Sequence, residues 1–364
     1  MAAHAIAQVR RELAAQSLDA LLVLQSEATP SPNLRYLSGF TGSAAWLLIT
    51  RERQIIGSDS RYWEQIRRQC PDFELVQYTG QAVQTQALSE TARKLGLGRI
   101  GVEGEHLTIA KRDDWAQALP GTDLVSTSGL IEALRASKNA QEIDTLRLAL
   151  AITDQAYEHI VRWIEPGMTE KEVAWELESY MRTHGADGMA FDVHVASGPG
   201  SAEPHHVSSE RQIAESDPVW IDMGAKVNGY HADLTRSFVL GEPDEQFRKV
   251  YAVVLEAQLA AERALKAGTE GKALHEVAHA VIRAAGYGDN FGHGLGHGLG
   301  LAIHEKPSAG AQSTDVINAG AVITIEPGIY IPGWGGVRIE DVALVTTDGA
   351  EILTRASKWQ PPQA

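Results

Sequence analysis

The segment DMGAKVNGYHADLTRSF, residues 222–238, decides the fold of this chain together with TIEPGIYIPGWGGVRIEDVALVT, residues 324–346. In both segments, acidic residues interrupt apolar stretches that are typical of buried strands. Burying a lone carboxylate costs several kcal/mol, so such acids need cations close to them. The acids concerned are Asp222, Asp233, Glu326 and Glu340.

The same half of the chain contains an internal repeat. Two pairs of segments align with each other: 167–185 with 268–286, and 218–224 with 322–328. The first pair predicts amphipathic helices that end at glycine, and the second predicts buried strands that pair Asp222 with Glu326. A duplicated α+β half would bring these two carboxylates together across a pseudo-twofold axis.

Metal ions account for the buried acids better than side chains do. Only Arg236 and Arg338 lie close in sequence, too few to neutralise the four acids and the neighbouring Asp341. Carboxylates with one imidazole suit a pair of divalent ions such as Mn²⁺, Co²⁺ or Zn²⁺.

The imidazole is expected from GHGLGHGLGLAIHE, residues 292–305, where glycines let the backbone approach closely and leave histidine rings open to a cleft. A phosphate-binding loop is the alternative for this segment, but no Lys-Ser/Thr follows it.

The composition is that of an ordinary globular protein. The chain has 364 residues, 44% of them hydrophobic, and its net charge of −15 argues against nucleic acid or an anionic membrane as a partner. A single cysteine, Cys70, indicates a reducing compartment. The first 30 residues lack the pattern of a signal peptide and no run of about 20 apolar residues occurs, so we expect a cytoplasmic location.

Two domains are predicted. Residues 1–130 alternate between helix and strand patterns, which favours an α/β domain, and residues 131–364 hold the duplicated α+β unit. Local patterns predict helices over 5–16, 82–95 and 132–163, and a turn followed by a strand over 33–50.

These motifs resemble the successive motifs of the creatinase/aminopeptidase P/prolidase family of "pita-bread" metallopeptidases. The resemblance also takes in SGPGSAEPHH at 197–206, NLRYLSGFTGS at 33–43 and LRASKNAQEIDTLRLA at 134–149, so it covers the whole chain. It implies an α/β creatinase-like N-terminal domain followed by an α+β pita-bread catalytic domain with internal pseudo-twofold duplication.

The resemblance implies a site with two divalent ions, in which Asp233 and Glu340 bridge the metals and Glu326 also shuttles a proton. The hydroxide shared by the ions would attack the scissile carbonyl carbon. The implied ligands are Asp222, Asp233, His297, Glu326 and Glu340.

Five further positions match the family's non-ligand residues, which stabilise the tetrahedral intermediate, hold proline or support the site: His205, His293, His304, Arg338 and Tyr330. We choose His205 over His206 because it directly follows Pro204, as the family's histidine follows its proline.

Other histidines have simpler interpretations. His275-Glu276-Val277-Ala278-His279 spells H-E-x-x-H, the zincin signature, but it lies in the repeated helix and we interpret it as a coincidence there. His194 and His231 are interpreted as polar loop or hydrogen-bonded core residues, although His231 lies two residues before Asp233, where its ring could contact a metal ligand.

The family resemblance predicts an Xaa-Pro dipeptidase, or prolidase, that acts on proline-containing dipeptides or short peptides. The alternative is aminopeptidase P, which acts on longer peptides, and the alternative of another class is a non-catalytic pita-bread module that binds peptides. The family also implies a homodimer formed through the N-terminal domain.

Overall fold

A computed structural model of the protein describes residues 2–80 and 83–359. The chain divides into two compact units, Met1–Arg135 and Ala136–Ala364. The division lies five residues beyond the predicted boundary, because a short helix over residues 130–136 belongs mostly to the first unit. Among the described residues, no helix is long and apolar enough to span a bilayer.

The first unit is an α/β domain on a mixed sheet. Its strands are β1 (Ala20–Gln25), β2 (Ala45–Thr50), β3 (Gln54–Ser58), β4 (Glu74–Gln77), β5 (Arg99–Glu103) and β6 (Asp123–Thr127). They lie in the order β4-β3-β2-β1-β5-β6, and β2 runs antiparallel to both of its neighbours. The helices are α1 (Ala2–Ala15), α2 (Pro32–Ser38), α3 (Trp63–Gln69), α4 (Gln84–Lys94), α5 (Ile109–Ala118) and α6 (Leu130–Ala136).

The structure differs from two local predictions in this unit. The turn expected from residue 33 is the helix α2, because Ser31 caps it through Leu34 N, Pro32 suits its first turn, and Gly39 ends it with a φ of 74°. The helix predicted over 82–95 is α4, and residue 82 lies outside the described residues.

The single helix predicted over 132–163 is two helices, α6 and α7 (Ala140–Trp163). Asn139 starts the second one: its side chain accepts from Glu142 N, and the Glu142 side chain accepts from Asn139 N. A capping box is favourable only where a helix begins, so it separates α7 from α6.

The second unit repeats one arrangement twice. Its first half comprises α7, α8 (Glu170–Thr183), β7 (Gly188–Met189), β8 (His194–Ser197), β9 (Val219–Met223), β10 (Ala225–Val227), β11 (Tyr230–His231) and β12 (Leu234–Phe238). Its second half comprises α9 (Glu245–Ala264), β13 (Thr269–Glu270), α10 (Gly271–Ala284), β14 (Gly296–Gly298), β15 (Glu305–Ala309), β16 (Val316–Ile317), β17 (Val322–Ile325), β18 (Gly328–Ile331), β19 (Gly335–Arg338), β20 (Asp341–Val345) and β21 (Ala350–Ile352).

The central strands confirm the duplication. β9 lies between β8 and β12, β17 lies between β14 and β20, and all four pairings are antiparallel. A small hairpin follows the central strand in each half, β10–β11 in the first and β18–β19 in the second. Each half also has its own cluster of buried apolar residues, to which its own helices and strands contribute.

Candidate active site

Four of the predicted acids occupy equivalent positions in the two halves. Asp222 lies in β9 and Glu326 directly follows β17, while Asp233 and Glu340 directly precede β12 and β20. Oxygens of Asp222, Asp233 and Glu340 lie within 4.8 Å of one another. His297, in β14, places Nε2 3.3 Å from Glu326 Oε1 and 3.6 Å from Asp233 Oδ2. The structure therefore brings all five predicted metal ligands together.

Burial makes two of these acids costly to ionise. It raises the pKa of Asp233 and of Glu340 well above the usual carboxyl values, and repulsion from the neighbouring carboxylates raises both further. Burial also opposes ionisation of Glu326, but the hydrogen bond and charge of His297 outweigh it and hold the Glu326 pKa at about 2. Without another cation, the cluster cannot carry its full negative charge.

Protein cations satisfy only part of this charge. Arg338 donates to Asp222 Oδ2 at 2.7 Å, whereas Arg236 turns away and pairs with Asp341 at 2.8 Å. Asp222 Oδ1 and Glu340 Oε1 are buried, and no described residue hydrogen-bonds either atom. Buried carboxylate oxygens are rarely left unpaired, so these two need a partner other than a side chain.

The donor set fits divalent metal ions. Carboxylate oxygens are hard ligands, and His297 supplies an imidazole whose Nδ1 donates to the Gly298 carbonyl at 3.1 Å. That bond places one proton on Nδ1. Burial lowers the pKa of His297, but the hydrogen bond and charge of Glu326 outweigh burial and raise it, so a metal ion would take the place of the proton on Nε2. The unpaired oxygens and this oriented imidazole would all be satisfied by cations held between them.

The cluster opens into a cavity of about 290 Å³ whose wall includes His205, His293, His304 and Arg338. Burial lowers the pKa of His293 and of His304, so both rings are neutral at pH 7. The His304 ring meets the His297 ring edge-on, with centroids 4.3 Å apart. The neutral rings of His293 and His304 thus line the same cavity as the cluster of carboxylates.

Tyr330 connects two of the predicted residues. Arg338 Nη1 donates to its hydroxyl at 2.8 Å, and that hydroxyl lies 3.0 Å from His293 Nε2. His293 Nδ1 lies 2.7 Å from the Gly294 carbonyl, which can only accept, so Nδ1 carries the proton and Nε2 accepts from Tyr330. The three side chains therefore form one directed hydrogen-bond chain.

Two family models match the chain. "Metallopeptidase family M24" matches residues 144–347, and "Creatinase/Prolidase N-terminal domain" matches residues 6–137. The chain belongs to metallopeptidase family M24. Its fold is accordingly that of the pita-bread metallopeptidases, preceded by a creatinase-type domain.

Several M24 relatives cover nearly the whole chain. An Xaa-Pro dipeptidase from Pyrococcus horikoshii is 35% identical over 94% of this chain and 94% of its own. The solved structure of an Xaa-Pro dipeptidase from Bacillus anthracis is 39% identical, covers 99% of both chains and has a TM-score of 0.94. That of an X-Pro aminopeptidase from Thermotoga maritima is 37% identical, covers 94% of this chain and 97% of its own, and has a TM-score of 0.89.

The two histidines of the PHH sequence, His205 and His206, have different surroundings in this M24 chain. His205 lines the cavity, whereas His206 Nε2 lies 2.8 Å from Glu170 Oε2. The same carboxylate oxygen accepts from the backbone and hydroxyl of Ser209, so Glu170 anchors the loop that carries His205. The two histidines have separate positions, one facing the cavity and one holding the loop.

The cavity wall also contains residues to which the sequence patterns assign no functional role. Phe191, His194 and Ile303 line it, and the Phe191 and His194 rings stack with centroids 6.1 Å apart. The interpretation of His194 as a loop or core residue is therefore wrong, because the β8–β9 register sets it opposite Asp222. Only that register could have identified it.

The remaining histidines lie elsewhere. His231 Nδ1 lies 2.9 Å from the Gly300 carbonyl, as a hydrogen-bonded core histidine would. The H-E-x-x-H sequence lies on α10, outside the wall of the acidic cavity.

Proposed function

We propose that this M24 protein is an Xaa-Pro dipeptidase that hydrolyses the imide bond before proline with two divalent ions, Mn²⁺, Co²⁺ or Zn²⁺. The observation that carries the proposal is the convergence of the unpaired, buried oxygens of Asp222 and Glu340 with Asp233 and His297 in one cavity. The names of the relatives from Pyrococcus horikoshii and Bacillus anthracis support the choice of substrate.

The five clustered side chains would hold the ions, with Asp233 and Glu340 between them. When bound, two divalent ions lower the pKa of a water that they share, which makes hydroxide available near neutral pH. The ions would also keep these carboxylates ionised, because their positive charge offsets the burial and the carboxylate repulsion that raise the pKa of Asp233 and Glu340.

Glu326 is suited to move the proton. It is ionised at neutral pH, so it can accept the proton that water loses on attacking the carbonyl carbon. It would then pass that proton to the proline nitrogen as the carbon–nitrogen bond breaks. One water is consumed, and the products are a free carboxylate and proline with a secondary amine.

His205 and His304 are suited to hold the substrate. Both line the cavity, and neither makes a hydrogen bond to a described residue through its ring, so their nitrogens are available to the peptide. His293 differs, because its two nitrogens already bond Gly294 and Tyr330. We therefore assign direct contact with the tetrahedral intermediate to His205 and His304, and assign to His293 the fixing of Tyr330 and Arg338.

Peptide length tests the dipeptidase assignment. The Mn²⁺-loaded protein would be incubated with Ala-Pro and, separately, with a longer peptide that begins Ala-Pro. We expect Ala-Pro to be hydrolysed and the longer peptide to be a poor substrate. Hydrolysis of the longer peptide alone would contradict the dipeptidase and indicate an aminopeptidase P.

The aminopeptidase is the second candidate because the Thermotoga maritima X-Pro aminopeptidase resembles this chain almost as well as the dipeptidase does, with TM-scores of 0.89 and 0.94. The two activities share the ligand set and differ in whether the site captures the free carboxylate of proline.

A non-catalytic peptide-binding module is the candidate of another class. It predicts fewer than one metal ion per chain after reconstitution and no hydrolysis of either peptide, whereas the enzyme predicts two ions. Elemental analysis of the reconstituted protein separates these outcomes. Sedimentation of the same sample would test the homodimer predicted through the N-terminal domain.

A further inference from the structure

A second pair of metal-ligating side chains lies on α10, away from the acidic cluster. His275 and His279 are four residues apart, so the helix sets them one turn apart on the same face. Their rings are nearly parallel, with centroids 5.7 Å apart and an interplanar angle of 14°. Two imidazoles in this spacing on a helix can bind one metal ion together.

His275 is buried in a way that leaves its ring unsatisfied. It is 6% exposed, and among residues 2–80 and 83–359 nothing hydrogen-bonds its Nδ1. Burial lowers its pKa and the neighbouring His279 lowers it further, so the ring is neutral and carries a lone pair. A buried nitrogen without a partner is uncommon, which makes a bound ligand at this position a reasonable expectation.

His279 is partly exposed and also keeps a nitrogen available. Its contacts with Arg283, at 3.5 Å, and with Glu276, at 3.8 Å, both involve Nδ1. Within the described part of the chain, no group contacts Nε2 of His279 at hydrogen-bond distance. Each ring of the pair can therefore offer a nitrogen.

The pair borders a cavity of about 400 Å³ that is lined by Lys272, His275, Glu276, His279, Phe291 and Gln312. This space adjoins the catalytic cavity, because His293 and Gly294 belong to the walls of both. Phe291 packs against His275 and His279 on one side and against His293 on the other. An ion and its water ligands have room here.

We propose that His275 and His279 form a second metal site, which binds one imidazole-preferring divalent transition-metal ion such as Cu²⁺ or Zn²⁺. No group of three ligating side chains forms here among the described residues, so water completes the coordination. The site lacks the third protein ligand of a zincin and is not hydrolytic. Two imidazole ligands favour Cu²⁺ over the oxygen-preferring Mn²⁺.

Copper titration of the Mn²⁺-saturated holoenzyme tests the proposal. Mn²⁺ binds imidazole weakly, so it fills the carboxylate cluster and leaves the histidine pair open. The wild-type protein is expected to bind one more Cu²⁺ per chain than His279→Phe, which keeps an aromatic ring against Phe291 but has no nitrogen. Electron paramagnetic resonance of that extra Cu²⁺ is expected to show coupling to two imidazole nitrogens.

Copper that enters the carboxylate cluster would bind equally to wild type and to His279→Phe. The difference in bound copper between the two proteins therefore measures binding by His275 and His279 alone. Glu276→Gln is the matched control, since it removes a charge from the same helix without removing an imidazole, and it should retain the extra ion. Peptidase activity of His279→Phe in Mn²⁺ alone is expected to equal that of wild type, which verifies folding. Equal copper binding by wild type and His279→Phe would overturn the proposal, as would a loss in Glu276→Gln as large as that in His279→Phe.

Discussion

Asp233 is the residue whose charge matters most to the site. Burial raises its pKa, and repulsion from Glu340, Asp222 and Glu326 raises it further. Asp233→Asn keeps the shape but removes an ionised ligand between the proposed ions, so we expect kcat on Ala-Pro to be lost while the circular dichroism spectrum is retained. Near-normal turnover would refute the bridging role.

The same substitution has a pH-dependent effect on the metal-free protein. Because the pKa of Asp233 is raised on folding, its ionisation destabilises the folded state as pH rises above the unfolded value of 3.8. Asp233→Asn removes that penalty and so raises the free energy of unfolding by roughly 1–3 kcal/mol. The variant should therefore unfold at higher urea concentration than the wild-type apoprotein at pH 8, and the difference should shrink at pH 5. A larger gain at pH 5 would contradict the sign of the shift.

Tyr330 offers a test of the hydrogen-bond chain. Tyr330→Phe leaves the buried Arg338 without one acceptor and His293 without its donor, although Arg338 keeps Asp222. We expect kcat/KM to fall roughly tenfold to a hundredfold, which corresponds to about 1.4–2.7 kcal/mol. Tyr251→Phe is the control, because Tyr251 lies in the apolar cluster of the second half. An equal loss in both variants would indicate a general packing effect.

At the residue scale, the sequence predicted the acids because a carboxylate isolated in an apolar strand is stable only beside a cation. His297 followed from its glycine-rich segment and the family resemblance. Phe191 and Ile303 were not predicted, since apolar and aromatic residues beside a site look like core residues, and His194 was interpreted as a loop or core histidine. Their position depends on strand register and on the path of loops, neither of which a local pattern determines.

At the scale of elements, β14 shows why the glycine-rich segment is needed. A Cβ on Gly296 would lie 1.9 Å from the carbonyl oxygen of Thr324, whereas a Cβ on Gly292 would meet nothing within 4 Å. The hydroxyl of Thr324 accepts from His297 N at 3.0 Å and contacts Glu326 at 3.1 Å. Close approach of β14 to β17 thus holds the two proposed ligands His297 and Glu326 next to each other through Thr324.

The two glycines therefore make a matched pair of variants. Gly296→Ala should push β14 away from β17, which lowers the free energy of unfolding by about 1–3 kcal/mol and weakens metal binding. Gly292→Ala, in the same segment, should alter neither property. Calorimetric metal titration and urea unfolding of both variants measure this, and similar behaviour of the two would disprove the role given to close approach.

The boundaries of elements were predicted less well than their types. The repeated helices, the strand that contains Asp222 and the strand that ends just before Glu326 matched because their patterns are regular. The break between α6 and α7 was missed because no glycine or proline marks it. The signal that could have found it is Asn139 followed three residues later by Glu142, which is the sequence pattern of a capping box.

At the scale of the whole molecule, duplication accounts for the way in which four acids come to share one site. Each half contributes one acid at its central strand and one just before the strand that follows the hairpin and pairs with the central strand, so two copies of one arrangement give a symmetric set. Neither half can satisfy these charges alone. Stability of the second unit should therefore depend on metal, because an ion that binds only the folded state stabilises it by about 2.7 kcal/mol at a hundred times its Kd.

Metal removal should act on the second unit selectively. All five proposed ligands lie in Ala136–Ala364. In the first unit, Glu103 and Glu132 already accept hydrogen bonds from the amide of Asn33, at 2.6 Å and 2.5 Å, so this pair of acids does not need a metal ion. After chelation, we expect faster hydrogen–deuterium exchange in β9, β12, β17 and β20, with β1 to β6 unchanged. Asp233→Asn should show little further change on chelation, since it binds metal poorly from the start. Equal acceleration in both units would contradict a metal site confined to the second one.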